Sequence, residues 1–208
     1  MSNFQLPASS VADQWNTATN LPSSNTLAIA LGANIPSKVG DPSATLRAVR
    51  PTIENEIFKW TLSIKKRNKK TSLGHKNLNF CWSPLFETPP MGGPENQPNF
   101  INAVLIVNDI FTSLDHPSET SALLILNRLL NLEKEYGRNR KSKNSRWGPR
   151  TLDIDLLFWG ELKVSRTELI LPHPRILERP FVLIPLAEAL TKKDQLPKRL
   201  KPQAGWPE

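Results

Sequence analysis

Apolar residues occur along the chain in short runs that have the length of β-strands. The run TLAIAL ends at Gly32, and the run INAVLIV follows a segment rich in proline, glycine and asparagine. Short apolar runs bounded by such residues are typical of buried strands. The segment itself, TPPMGGPENQPN at 88–99, is too rich in these residues for regular structure, so we expect a long loop there. The predicted strands are 26–31, 80–87, 101–107 and 152–158.

Helical spacing of apolar residues is clearest between residues 118 and 136. Ser118 is placed to cap this helix and Gly137 to end it. A second segment also has helical spacing, although Pro51 lies inside it. Residues 59–79 are rich in lysine and predict an exposed basic loop. The predicted helices are 43–57, 118–136 and 180–190.

Strands that alternate with helices, without the glycine-rich turn of dinucleotide-binding domains, indicate an α+β sandwich with helices packed on a sheet. A chain of 208 residues is long enough for one domain of ordinary size. We place this domain at 26–190, with a basic insertion at about 58–79. Residues 1–25 carry one charge, Asp13, and predict a disordered polar tail, for which a plastid transit peptide is the alternative. Residues 191–208 form a basic tail.

Cysteine content and hydropathy exclude several classes of protein. The only cysteine, Cys81, cannot form an internal disulfide or a cysteine-based zinc site, and no apolar run has the roughly 18 residues that span a bilayer. We therefore expect a soluble protein of a reducing compartment, the cytoplasm, without a membrane partner.

The net charge of +8 comes from three short segments. Basic residues concentrate at 59–76, 138–150 and 192–201, and outside these segments acidic residues outnumber them. A nucleic-acid-binding module that uses the insertion and the C-terminal tail is therefore the alternative function. Charge alone supports it, because the sequence has no RNP motif, zinc-ligand spacing or helix-turn-helix pattern.

The segment RWGPRTLDIDLL combines arginines with paired acids. On a strand, Asp153 and Asp155 project from one face while their apolar neighbours face the core. Carboxylates at this spacing suit Mg²⁺, which also takes phosphate oxygens as ligands, and arginines suit phosphate. The alternative interpretation is that Asp153 and Asp155 form only the polar face of an edge strand. Trp147 and a proline have no solubility role in a basic loop, so we favour a phosphoryl-transfer site.

The chain resembles the 6-hydroxymethyl-7,8-dihydropterin pyrophosphokinases of folate biosynthesis over most of 26–190. The segment RWGPRTLDIDLLFWG matches a highly specific motif of that family. The further matching segments are ALGANI (30–35), LFETPPMGGPENQPNFINAV (85–104), LLNLEKEYGRNR (129–140) and LPHPRILERPFVLIPLAE (171–188). The resemblance implies a ferredoxin-like α+β fold with an antiparallel-rich sheet. It also implies transfer of pyrophosphate from ATP to the pterin hydroxymethyl group, with release of AMP.

The resemblance assigns roles at the nucleotide half of the site. Asp153 and Asp155 would hold two Mg²⁺ ions that bridge the phosphates of ATP, the co-substrate. The arginines expected to contact phosphate and support catalysis are Arg138, Arg140 and Arg150. Trp147 would close over the nucleotide. The other residues expected to line the nucleotide site are Glu133, His173 and Arg179. From position alone, Glu133 could lie on a charged helix face, and His173 could cap a turn.

At the pterin half, the resemblance makes Phe100 and Phe181 the rings on either side of the heterocycle, although the pattern alone would make either a core residue. Asn102 would pair with the pterin amide edge. The residues expected to offer backbone contacts are Gly32, Thr88 and Met91. We expect the protein to bind ATP and the hydroxymethyl pterin, to bind no nucleic acid and to act as a monomer.

The chain departs from the family pattern in the insertion at about 58–79, in slightly longer loops, and at Pro174, where some relatives have an aromatic residue.

Overall fold

The protein is built on a five-stranded antiparallel sheet with the strand order β2-β4-β1-β5, in which β3 also pairs with β4. The structure is a computed structural model and describes residues 25–67, 78–108, 110, 117–140 and 147–191. The strands are β1 (Leu27–Ala33), β2 (Asn79–Trp82), β3 (Phe86–Thr88), β4 (Phe100–Asn108), β5 (Asp153–Trp159), β6 (Val164–Ser165) and β7 (Ile170–Leu171). The helices are α1 (Pro42–Arg67), α2 (Glu119–Glu135) and α3 (Pro180–Thr191).

One face of the sheet is covered by α1 and α2 and forms the larger core. Alternate residues of β1, Leu27, Ile29 and Leu31, point into it because successive strand residues face opposite sides. Trp60 of α1 lies in this core, where its indole nitrogen donates to the Ser121 carbonyl of α2 at 3.0 Å. This bond fixes the two long helices against each other.

The opposite face is only partly covered. Ala28 and Ala30 of β1 and Val104 of β4 form a smaller core with α3, whose Val182 and Leu186 pack onto it. Since α3 has 12 residues, it covers one end of this face. At the other end Gly32 of β1 lies between its two partners, Asn102 of β4 and Asp153 of β5, with Asp155 one pleat away. The functional residues therefore lie where the apolar face ends.

The predicted α+β fold with an antiparallel sheet is confirmed. The predicted strands 26–31, 101–107 and 152–158 and all three predicted helices are present, and the Ser118 side chain caps α2 by accepting from the Ser121 amide. Gly137 follows with a φ of 91°, a backbone conformation that glycine adopts without strain.

Two expectations about elements are wrong, and one pair of strands was not predicted. Helix α1 continues to Arg67, so the first part of the predicted basic loop is helical. The predicted strand 80–87 is two short strands, β2 and β3, because Pro84 has no amide hydrogen for the ladder. The β6–β7 hairpin was not predicted, since strands of two residues leave no periodic pattern.

The predicted tails 1–25 and 191–208 lie almost entirely outside the described residues, as does most of the insertion beyond Arg67. Among the helices that the structure describes, none combines the length and the apolar character needed to cross a membrane.

Candidate active site

A cavity of about 460 Å³ opens at the uncovered end of the sheet. Its volume is in the range of small-molecule binding sites. All residues proposed from the sequence line it except Glu133. Strands β1, β4 and β5 supply its floor, and the segments before β4, before β5 and before α3 supply its walls. Separate segments of the sequence therefore meet at one site.

Asp153 and Asp155 lie on the floor of the cavity. Their side chains share a face because Ile154 between them points into the larger core. Each carboxylate is paired with an arginine: Asp153 accepts from Arg150, and Asp155 accepts from Arg179 at 3.3 Å. Burial raises the pKa of the Asp155 carboxyl, and the negative charge of Asp153 raises it further. Two close carboxylates of this kind attract a cation.

The residues fit a divalent cation that also takes substrate oxygens. Among the described residues, no cluster of three or more histidine, cysteine or acidic side chains has the geometry of a metal site. Asp153 and Asp155 alone would thus leave most coordination positions open. This is the usual arrangement for Mg²⁺, which is held by one or two carboxylates together with water and phosphate oxygens.

Arg138 points a buried guanidinium into the same cavity. Its side chain is 7% exposed, and its Nε atom has no hydrogen-bond partner among the described residues. One terminal nitrogen lies 3.4 Å from an Asp153 carboxylate oxygen. Burial lowers the pKa of Arg138, because a buried guanidinium loses the solvation of its charge. A buried donor without a partner is costly, so an anionic ligand would stabilise it.

Glu133 lies behind the wall of the cavity. It is 0% exposed, so the alternative of a solvated helix face does not describe it. Its carboxylate accepts two hydrogen bonds from Arg140, both at 2.7 Å, and one from the Ile154 amide at 2.8 Å. Because Ile154 separates Asp153 from Asp155, Glu133 fixes the strand segment that carries both. A direct nucleotide contact for Glu133 stays a prediction.

His173 both caps a turn and lines the cavity. Its Nδ1 atom accepts from the Arg175 amide at 3.2 Å, so the proton of the neutral ring is on Nε2. Burial lowers the pKa of His173, and the charges of Arg179 and Arg175 lower it too, while Asp155 opposes them. The neutral ring is thereby favoured, with an Nε2–H that can donate.

Phe100 and Phe181 also line the cavity, and both rings are half-buried. The Arg150 guanidinium carbon lies 5.7 Å from the centre of the Phe100 ring, and that of Arg179 lies 5.7 Å from the centre of the Phe181 ring. Asn102 donates to the Thr88 hydroxyl at 2.8 Å, which orients its amide. At Gly32 a Cβ atom would lie 3.0 Å from the Asn102 amide oxygen, so a side chain would crowd this amide. Aromatic faces beside a fixed amide suit a flat heterocycle with hydrogen-bonding edges.

Sequence reasoning missed residues in the loops around the cavity. Arg175 places its guanidinium 4.6 Å from the centre of the Trp147 ring, within cation–π distance. Its position two residues after His173 in a basic motif was a signal that could have identified it. Gln97 donates to the Trp147 carbonyl at 3.0 Å. No local pattern marks Gln97, since its partner is distant in sequence.

Known proteins of one family are similar in sequence to this chain. The profile of the family described as 7,8-dihydro-6-hydroxymethylpterin-pyrophosphokinase (HPPK) matches residues 28–191. A Synechocystis protein named 2-amino-4-hydroxy-6-hydroxymethyldihydropteridine pyrophosphokinase is 42% identical over 106 residues, which is 51% of this chain. The chain spans about half the length of that relative, 47%.

Two further relatives match over a longer part of the chain. A Haemophilus influenzae protein of the same name is 31% identical over 160 residues, 77% of this chain and 78% of that protein. An Arabidopsis thaliana protein named "Folate synthesis bifunctional protein, mitochondrial" is 34% identical over 162 residues, 78% of this chain and 23% of that protein.

Proposed function

The chain belongs to the 7,8-dihydro-6-hydroxymethylpterin-pyrophosphokinase family, and on that premise we propose that it transfers pyrophosphate from ATP to 6-hydroxymethyl-7,8-dihydropterin. The products are AMP and the pterin diphosphate, and the reaction is a step of folate biosynthesis. The observation that carries this proposal is one cavity lined both by Asp153 and Asp155, each paired with an arginine, and by the rings of Phe100 and Phe181. It combines a phosphate half with a heterocycle half.

At the phosphate half, Asp153 and Asp155 hold Mg²⁺, for which two ions are proposed. When bound, Mg²⁺ neutralises phosphate charge and stabilises the charge that develops during transfer. Arg138, whose Nε atom lacks a partner among the described residues, donates to a phosphate oxygen. Arg150 and Arg179, which pair with the carboxylates, exchange those partners for phosphate oxygens.

The reaction requires no covalent protein group. The pterin hydroxyl oxygen forms a bond to the β-phosphorus of ATP while the bond from that phosphorus to the α,β-bridging oxygen breaks, and the hydroxyl proton leaves to solvent. AMP departs with the bridging oxygen. The protein contributes by aligning the two substrates and by stabilising charge on the phosphates. The Nε2–H of His173 is available to donate to a phosphate oxygen.

At the pterin half, Phe100 and Phe181 stack on the ring and Asn102 pairs with its amide edge. The Thr88 hydroxyl, which accepts from Asn102, sets the orientation in which this amide meets the pterin. Backbone groups of Gly32, Thr88 and Met91 complete the contacts. These assignments are supported by the joint position of the residues in the cavity.

The product of ATP turnover tests the proposed reaction. With Mg·ATP and 6-hydroxymethyl-7,8-dihydropterin, we expect equimolar AMP and pterin diphosphate by chromatography. Omitting Mg²⁺ or the pterin should abolish AMP formation, and metal removal with EDTA should be reversed by excess Mg²⁺. Formation of ADP would indicate a simple kinase, and the absence of any nucleotide product would favour a binding module.

Truncation of the aromatic rings tests the pterin half. Phe100→Ala should weaken pterin binding by about 1–3 kcal/mol because a stacking face is lost, while affinity for a Mg·ATP analogue should change by less than about threefold. Phe181→Ala should weaken pterin binding as well but should also lower the melting temperature, because Phe181 packs against the smaller core. Calorimetric titrations and thermal unfolding measure these effects.

The matched control is Phe80→Ala, since Phe80 is also half-buried but packs against the larger core, and it is absent from the cavity lining. Phe80→Ala should lower stability and leave pterin affinity unchanged. Unchanged pterin affinity in Phe100→Ala would refute the stacking role and leave only the phosphate half of the proposal.

Cytoplasmic location and a monomeric state stay predictions. The name of the Arabidopsis relative places that protein in mitochondria.

A further inference from the structure

Arg175 differs from the other arginines around the cavity in its partners. Among the described residues, five arginines line the cavity, and the other four each pair with a carboxylate of Glu133, Asp153 or Asp155. The half-buried side chain of Arg175 contacts the Trp147 ring instead, with 4.6 Å between the guanidinium carbon and the ring centre. In the described part of the chain, its charge is therefore not matched by an acidic side chain.

Backbone hydrogen bonds hold Arg175 beside the cavity. Its amide donates to the His173 Nδ1 atom at 3.2 Å, and its carbonyl accepts from the Glu178 amide at 3.3 Å. The His173 carbonyl accepts from the Ile176 amide at 3.1 Å. These bonds form a turn in the segment between β7 and α3. The turn places Arg175 next to His173, which lines the same cavity.

The contact with Trp147 leaves Arg175 with hydrogen-bond donors to spare. A guanidinium carries five N–H donors, and an arginine that stacks on a ring through its flat face keeps them at its edge. The Arg175 side chain makes no hydrogen bond to another residue of the described ranges, and its nitrogen atoms keep contact with solvent. These donors are therefore open to a ligand in the cavity.

The position of Arg175 favours an anionic ligand. Trp147 and Arg150 lie on the segment that leads into β5, and Arg175 and Arg179 lie on the segment that leads into α3. Arg150 and Arg179 each pair with a carboxylate on the cavity floor, and Arg175 reaches from one segment to the other. A phosphate chain that binds at these carboxylates therefore lies between the two segments that Arg175 connects.

We propose that Arg175 binds the phosphate chain of the nucleotide directly, while the Trp147 ring supports its guanidinium. A hydrogen bond from a guanidinium to a phosphate oxygen is charge-assisted and stronger than a contact with an aromatic face. The phosphate gains a donor that is already positioned and that no carboxylate has to release. The inference rests on the proposed function, because the nucleotide is a substrate of that reaction.

Titration with a nucleotide analogue tests the inference. The dissociation constant of α,β-methylene-ATP with saturating Mg²⁺ is measured by calorimetry, since this analogue cannot be cleaved at the bond that the reaction breaks. Arg175→Ala should weaken binding by about tenfold or more, the factor that one hydrogen bond between charged groups supplies. Arg175→Gln keeps most of the side-chain length without the charge and should weaken binding by a similar factor. The melting temperature of each variant shows that it is folded.

Trp147→Ala distinguishes direct binding from an effect through the ring. The same titration is made on Trp147→Ala and on the chain that carries both Trp147→Ala and Arg175→Ala. Loss of Arg175 should still weaken binding by at least about fivefold when the ring is absent, because the hydrogen bond to phosphate does not pass through the ring. If Arg175 only held Trp147 in place, the second replacement would have no further effect.

The matched control is Arg166→Ala. Arg166 is also an arginine, but its side chain is 57% exposed, pairs with Glu119 and is absent from the cavity lining. Arg166→Ala lowers the net charge by the same amount as Arg175→Ala. It should keep the nucleotide affinity of the unmodified chain within about twofold, since exposed charges contribute little.

The outcomes separate this inference from the proposed function. If the unmodified chain does not bind the nucleotide analogue with Mg²⁺, the proposed function fails and the inference fails with it. If the unmodified chain binds it and the folded Arg175 variants bind it within about threefold as tightly, only the inference is overturned. A loss of affinity that disappears in the Trp147→Ala chain would also overturn it. An equal loss in Arg166→Ala would overturn it as well, because net charge alone would then explain the effect.

Discussion

Replacing Asp153 or Asp155 by alanine should lower kcat by about a thousandfold or more. Each replacement removes one of the two carboxylates on the cavity floor, and with it a ligand for Mg²⁺ beneath the transferring phosphates. A bound metal is worth several kcal/mol of charge stabilisation in the transition state, and about 4 kcal/mol corresponds to a thousandfold in rate. The measurement is AMP formation at saturating Mg·ATP and pterin.

The fold should survive either substitution. Asp153 and Asp155 repel each other, and removing one relieves this repulsion, which offsets the loss of its arginine partner. Melting temperatures close to that of the unmodified chain would therefore accompany the loss of activity. Glu119→Ala is the matched control, because Glu119 also pairs with an arginine, Arg166, but on the surface. Activity within threefold of the unmodified chain in both aspartate variants would rule out the metal assignment.

The paired carboxylates could be predicted because the information is local. Alternation of Leu152, Ile154 and Leu156 with the acids determines which side chains face the core once the segment is a strand. The same holds for Ser118 and Gly137 at the ends of α2, where the capping residues lie next to the helix that they terminate. The direction of strand side chains and the ends of a helix depend on neighbouring residues, so both could be predicted from the sequence alone.

The length of α1 could also have been predicted, but lysine content obscured it. Trp60 continues the apolar spacing of Ile53 and Ile57 beyond the predicted end at residue 57, and all three are fully buried. Lysines on the remaining positions of a helix are compatible with a solvated face, so their number says little about where a helix ends.

Contacts between distant segments could not be predicted from local pattern. Gln97 and Trp147 meet only because β4 and β5 both pair with β1, which brings the loops before them to one end of the sheet. The burial of Glu133 has the same origin: its spacing on α2 allows a solvated position, and only the packing of α2 beside β5 places it against Ile154. The spacing of Glu133 on the helix allows both a solvated and a buried position, so only the tertiary structure could decide between them.

Glu133→Ala should be the most destabilising substitution near the site. It leaves the buried Ile154 amide without an acceptor, removes both bonds to Arg140 and creates a void in a fully buried position. These losses together should lower the free energy of unfolding by about 2–4 kcal/mol, even though relief of a buried charge offsets part of the cost. Urea unfolding monitored by circular dichroism measures the change.

Two further variants, Glu133→Gln and Glu135→Ala, show which of these lost interactions lowers the free energy of unfolding. Glutamine keeps the size of the side chain and one acceptor oxygen for the Ile154 amide. Glu133→Gln should therefore lower the free energy of unfolding by less than half as much as Glu133→Ala. Arg140 can turn to solvent in this variant, because its side chain is 48% exposed. Glu135 is exposed on the same helix, and its replacement should change the free energy of unfolding by less than about 0.5 kcal/mol. If Glu133→Ala were as stable as Glu135→Ala, the carboxylate would not support β5. Loss of stability in the alanine variant, with kcat lowered in the folded fraction, would instead indicate that Glu133 holds Asp153 and Asp155 in place through the amide between them.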